Sequence, residues 1–193
     1  MEQKIEFAPT VMLIDAVYLN QVVADLRAHF SHVLNRELPP ADLACLLESI
    51  GLDAGLREKD LSIQVILLYD VHLPKLTDCI PADFEQELHN VAFKGQLGEF
   101  SLYSFQPSEM ASREDLFIES LQLLGESKAT KCILAVPDEA SYGSTLDTYV
   151  KDMKGKNSIS VFGMNPPKGT VHYDFQQLGF AILQALGVKP YEL

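Results

Sequence analysis

The stretch Val11-Met12-Leu13-Ile14-Asp15 decides the fold class of this chain. Four consecutive apolar residues are typical of a strand buried on both faces of a parallel sheet, because such a strand has no side that faces solvent. A second apolar run, at residues 132–136, is followed by Pro137 and Asp138. A third run, at residues 61–69, is followed by Asp70. Each of the three buried-strand patterns therefore ends at or just before an aspartate.

Segments with helical spacing of apolar residues alternate with these strands. The spacing predicts helices over residues 19–34, 42–50, 82–93, 112–124, 144–153 and 174–186, and further strands over residues 100–105 and 159–162. This alternation predicts a Rossmann-like, three-layer α/β/α sandwich around a mainly parallel central sheet. With 193 residues the chain fits one α/β domain, residues 1–193, in which residues 164–193 form a C-terminal closing helix extension.

Composition narrows the classes of partner and compartment. The formal net charge of −12 disfavours tight, unspecific nucleic-acid binding, because phosphate neutralisation by basic side chains supplies most of that affinity. Three cysteines without a CxxC pair favour buried thiols in a reducing compartment. The acidic start lacks the apolar segment of a signal peptide, and no apolar run is long enough for a membrane span. We therefore expect a cytoplasmic protein.

The strand-ending aspartates point to a place for chemistry. In open α/β sheets the ligand crevice lies beyond the carboxyl ends of the strands, so Asp15 and Asp138 would stand at its mouth. Carboxylates at so short a distance repel one another unless they share protons or a cation. Mg²⁺ and Mn²⁺ are suitable cations, because they prefer oxygen ligands. The alternative is that each aspartate only starts a turn or caps the next helix.

Several short motifs give the chain a resemblance to a known family. Asp15 is followed by Tyr18-Leu19-Asn20, residues 67–70 read Leu-Leu-Tyr-Asp, and Glu119 lies on a helix about twenty residues before Asp138. This order resembles NYN domains, which are PIN-like nucleases. The chain departs from the family where Val136-Pro137 replaces Ser-Gly before the turn acid, and where Ala140 replaces the second Asp, with Glu139 beside it.

The resemblance implies a metal-dependent ribonuclease that hydrolyses phosphodiesters. Its catalytic residues would be Asp15, Glu119 and Asp138, and Mg²⁺ or Mn²⁺ would be held by Asp15, Asp138, Glu119 and Glu139. RNA would be the partner. The departures leave two alternatives: a degenerate PIN-like binding module with a protein partner or a second copy of itself, and a hydrolase of a small phosphorylated metabolite.

The metal hypothesis makes a geometric prediction. Asp15 and Asp138 should end adjacent central strands, with their carboxylates near enough to share one ion. Glu119 should point into the same crevice from its helix. Placement of the two aspartates at opposite edges of the sheet would exclude a shared ion.

Overall fold

A computed structural model describes residues 6–193, so the residues at the acidic start, before residue 6, lie outside the described part of the chain. The strands are β1 (Thr10–Asp15), β2 (Ala41–Asp42), β3 (Leu61–Leu68), β4 (Cys79–Ile80), β5 (Val91–Gly95), β6 (Gly98–Phe105), β7 (Cys132–Val136), β8 (Ser158–Gly163) and β9 (Asp174–Gln177). The helices are α1 (Ala16–Val33), α2 (Leu43–Asp53), α3 (Arg113–Glu126), α4 (Leu146–Val150) and α5 (Leu178–Ala185).

Seven of the strands form one sheet in the order β5-β6-β3-β1-β7-β8-β9. All neighbours pair in parallel except β5, which is antiparallel to β6. Counted along the chain, the six parallel strands lie in the order 3-2-1-4-5-6, which is the doubly wound arrangement that binds ligands where the strand order reverses. That reversal lies between β1 and β7. The prediction of a mainly parallel α/β sandwich is confirmed.

The alternation of β1 side chains divides the core between two helical layers. Met12 and Ile14 pack into a cluster with α1, α2 and α5, whereas Val11 and Leu13 pack into a second cluster with α3 and α4. Because successive side chains of a strand point to opposite faces, a central strand must be apolar throughout to serve both layers. Residues 10–15 are all buried, as the opening run predicts.

The helix starts follow local capping chemistry. The Asp42 side chain accepts from Cys45 N–H at the start of α2, and Ser112 and Asp115 form a reciprocal capping box at the start of α3. The sequence predicts both caps, because an aspartate and a serine stand at the starts of the helical patterns over residues 42–50 and 112–124. Gly51 and Gly125 lie inside α2 and α3 and do not end them. The side chains of Leu97 and Met153 pack closely where a β-carbon would project, so these positions favour glycine.

The helix predicted over residues 82–93 is wrong. Carboxylates of this segment bind nearby N–H groups instead: Asp83 accepts from Glu85 and Gln86, and Glu87 accepts from Ala82 and Asp83. These bonds favour compact turns over a continuing helix. The end of the segment becomes β5, which joins β6 through a tight turn at residues 96–97.

The C-terminal prediction also needs correction. Residues 174–177 form β9, which pairs with β8, so the helix of this segment begins only at Leu178. Pairing with the exposed edge of β8 satisfies backbone groups that a helix would otherwise satisfy internally. Residues 164–193 thus contribute both a strand to the central sheet and α5 to its first helical layer.

Within residues 6–193, no helix is both long and apolar enough to cross a membrane.

A substitution at Gly98 tests how closely the start of β6 packs against the start of β3. Its φ of +129° suits only glycine, and an added β-carbon would collide with the backbone of Leu61. We expect Gly98→Ala to lower the free energy of unfolding by more than about 1–3 kcal/mol, the usual cost of such a backbone conformation alone. Gly55→Ala is the control, because φ there is +93° but the space is open. Urea denaturation of both variants checks this, and equal losses would contradict the collision.

Candidate functional site

Three aspartates gather at the carboxyl edge of the sheet, around the reversal of strand order. Asp15 ends β1, Asp70 follows the neighbouring β3, and Asp138 follows β7 on the other side. Asp15 and Asp138 therefore lie at the ends of adjacent central strands, and the first part of the geometric prediction is confirmed.

Arg113 lies between the three carboxylates. Its Nε donates to Oδ1 and Oδ2 of Asp15, at 2.8 and 2.9 Å, and a terminal nitrogen lies 3.4 Å from Oδ2 of Asp138. The other terminal nitrogen is 3.7 Å from Oδ2 of Asp70. The side chain of Asp15 is fully buried, and that of Arg113 is 20% exposed. One guanidinium thus provides the cation that the aspartate cluster requires.

Asp15 has no free acceptor position in this arrangement. Its Oδ1 also accepts from the backbone N–H groups of Val17 and Tyr18, each at 3.1 Å, so it caps α1. Its Oδ2 accepts from the Tyr142 hydroxyl at 2.6 Å. A carboxylate has about four lone-pair positions, and four donors already approach them. The capping role that the sequence offered as an alternative is therefore present.

The protonation states follow from this packing. Burial favours a neutral guanidinium, but the hydrogen bond and charge of Asp15 outweigh it and raise the pKa of Arg113. Burial, together with the charge of Asp15, raises the pKa of the Tyr142 hydroxyl far above its usual range. Arg113 therefore stays charged and Tyr142 stays protonated, so each remains a donor to Asp15.

Asp138 organises the turn that brings Tyr142 to the cluster. Its carbonyl accepts from the N–H groups of Ser141, Tyr142 and Gly143, and its carboxylate accepts from the N–H and hydroxyl of Ser141, each at 3.2 Å. These bonds fold residues 138–143 back toward β1. Besides contacting Arg113, Asp138 therefore positions the Tyr142 ring, which packs 5.2 Å from that of Phe117.

The Glu139 carboxylate binds the loop after β8. It accepts from the Met164 N–H, from both the N–H and the side-chain amide of Asn165, and from the Tyr18 hydroxyl. Burial raises the pKa of the Tyr18 hydroxyl above its usual range, and the nearby negative charge of Glu139 raises it further. Glu139 thus ties two loops and α1 together.

Glu119 does not join the cluster. It is exposed and lines a groove between α3 and the sheet, together with Tyr103 and Phe105. The buried stripe of α3 instead contains Phe117, Leu121 and Leu124, and Arg113 lies one turn before Phe117 on this stripe.

Arg113 is the residue that sequence reasoning missed. It is the first residue of α3, where the positive end of the helix dipole disfavours a cation. An arginine at this position requires a strong acidic partner, so its place in the helix indicates that such a partner lies nearby in the fold. Only the fold identifies Asp15, 98 residues away, as that partner.

The arrangement does not fit Mg²⁺ or Mn²⁺. Within residues 6–193, no group of three or more Asp, Glu, His or Cys side chains is placed to hold a metal ion. Asp15 is saturated by donors, and a cation entering between Asp15 and Asp138 would meet the Arg113 guanidinium. We refer to Asp15, Asp70, Arg113, Asp138 and Tyr142 together as the arginine–carboxylate centre.

Fold and site together define a doubly wound α/β protein with an arginine–carboxylate centre at the point where the strand order reverses. The chain belongs to a family described as "Family of unknown function (DUF6621)", whose model matches residues 4–193. Neither the curated proteins nor the solved structures contain a match to the chain.

Removal of Arg113 should expose the cost of the buried charge. We expect Arg113→Met to lower the free energy of unfolding by about 3–5 kcal/mol, because it leaves Asp15 charged, buried and without its cation. Arg36→Met is the control, since Arg36 pairs with Glu192 at the surface and should matter far less. Urea denaturation of both variants measures the difference. Equal small losses would show that the centre contributes little to stability.

The raised pKa values of Tyr18 and Tyr142 predict that the stability of the fold decreases at alkaline pH. Because their folded pKa values are raised, their contribution is full below the unfolded tyrosine pKa of about 10 and is lost as the pH rises above it. We expect stability to fall more steeply above that pH in the wild type than in Tyr18→Phe/Tyr142→Phe. Urea midpoints across the alkaline range measure this, and parallel curves would contradict it.

Proposed function

We propose that this protein is a non-hydrolytic binding module on a PIN-like fold, in which an arginine replaces the catalytic metal ion. The observation that carries the proposal is the Arg113 guanidinium, which contacts Asp15, Asp70 and Asp138 together. It supplies the positive charge that a metal would otherwise bring to these carboxylates.

A guanidinium cannot perform the chemistry of the ion it replaces. Metal-assisted hydrolysis requires an open coordination position that holds a water and lowers its pKa. A guanidinium has only N–H donors and accepts nothing, and the raised pKa of Arg113 excludes it as a general base. The centre therefore holds the loops at the carboxyl edge together but does not supply a nucleophile.

The rim of the crevice has features of a protein-binding surface. Val71 directly follows Asp70 and is 69% exposed, and Met110 lies three residues before Arg113 and is 97% exposed. A protein partner that binds at the carboxyl edge would bury these two apolar side chains. Crevices at this position of a doubly wound sheet are where such folds bind ligands. We therefore assign binding of a protein partner to the carboxyl edge.

Charge argues against the phosphate-bearing alternatives. The three carboxylates around Arg113 outnumber its single positive charge, so the crevice stays negative and would repel a phosphorylated metabolite or an RNA backbone. The ribonuclease expected from the family resemblance stays a prediction, and the following experiments discriminate it from the binding module.

Thermal melting with Mn²⁺ tests the replacement of metal by arginine. We expect the melting temperature of the wild type to be unchanged by millimolar Mn²⁺. Arg113→Ala should melt lower and should regain stability with Mn²⁺, because binding to the native state stabilises it and each kcal/mol is worth about 2–4 °C at this size. Arg113→Lys keeps a cation in the cluster and is the control that should not respond. A wild-type increase that Asp15→Asn removes would contradict the proposal.

Cleavage of labelled single-stranded RNA tests hydrolysis directly. We expect no cleavage with Mn²⁺, and none from Ala140→Asp, because an added carboxylate leaves Arg113 in place. Cleavage by the wild type that is lost in both Asp15→Asn and Asp138→Asn would establish the ribonuclease instead.

A further inference from the structure

A groove of about 730 Å³ runs along α3 on the second face of the sheet. It exists because α3 packs over β1 and β3 and leaves this face of β6 without a covering helix. A volume of this size is typical of sites for small organic molecules. Its walls come from β3, β6, α3 and the chain before β1, and include Ile66, Leu68, Tyr103, Phe105, Glu119 and Leu123.

The floor of the groove is apolar and partly aromatic. Phe100 and Leu102 of β6 point into the first core cluster, so Tyr103 and Phe105, at odd-numbered positions of the same strand, point to the groove face. Phe105 is 40% exposed and Leu123 on α3 is 46% exposed. These two apolar side chains therefore keep accessible surface that a ligand could bury.

Within the described part of the chain, the charged side chains that line the groove are acidic. Glu6 and Glu119 are its acidic residues, both exposed, and no lysine or arginine among residues 6–193 lines it. His89 is the remaining titratable side chain there apart from Tyr103, and its Nδ1 accepts from the Ser104 N–H at 3.0 Å. The groove is thus negative.

We propose that this groove binds a small amphipathic organic cation. Its apolar or aromatic body lies on Tyr103, Phe105 and Leu123, where it buries exposed surface and its charge is attracted to aromatic faces. Its ammonium or ring nitrogen pairs with Glu119 at the wall. The groove shares no residue with the arginine–carboxylate centre, so this inference goes beyond the proposed function and is tested separately from it.

Two aromatic dyes of opposite charge serve as probes. Acridine orange is a cation at neutral pH and anilinonaphthalene sulfonate is an anion, and titration calorimetry gives the affinity of the full-length chain for each. We expect one acridine orange per chain, bound at least about tenfold more tightly than the anion. Equal affinities, or no binding of acridine orange at millimolar concentration, would overturn the proposal.

Variants of exposed residues on α3 locate the bound dye. Glu119→Gln should weaken acridine orange about three- to fivefold, the range for a partly exposed ion pair, and Glu119→Lys should reverse the preference between the dyes. Glu114→Gln is the matched control, because Glu114 is exposed on the same helix but does not line the groove. Equal weakening by Glu114→Gln, or no effect of either Glu119 variant, would show that only the net charge of the chain attracts the dye.

Discussion

Asp15 places a negative charge at the carboxyl end of the central strand β1, with no exposed surface. An isolated buried carboxylate is costly, so the surrounding structure has to provide donors and a cation. The first turn of α1, the guanidinium of Arg113 and the hydroxyl of Tyr142 supply them. Satisfying this one charge therefore joins β1, α1, the start of α3 and the turn after β7.

The same requirement explains the character of the crevice. Once Arg113 neutralises Asp15, its terminal nitrogens reach Asp70 and Asp138, and the loops after three neighbouring strands share one cation. A metal ion could make the same connections but would also bring exchangeable water and Lewis acidity. A guanidinium brings fixed N–H donors only, so it joins these loops through ion pairs and hydrogen bonds alone.

Two surfaces of different chemistry lie on either side of the buried stripe of α3. Arg113 and Phe117 face the core, and beside them Glu119 and Leu123 form the wall of the groove. At the carboxyl edge three carboxylates surround one guanidinium and leave a net negative charge, whereas the groove combines aromatic rings with the acidic Glu6 and Glu119. The net charge of −12 is consistent with both, because neither surface is suited to a polyanion.

The sequence alone indicated the layers of the sandwich and the central position of β1, because an apolar run that serves two faces is typical of the inside of a parallel sheet. The adjacency of Asp15 and Asp138 was predicted only through the metal hypothesis. It also indicated Asp42 and Ser112 as caps, since capping depends on residues three positions apart. The sequence could not place β5, β9 or Arg113. The two edge strands depend on pairing with β6 and β8. The partners of Arg113 are distant in the chain and meet only because the doubly wound sheet brings the ends of β1, β3 and β7 together.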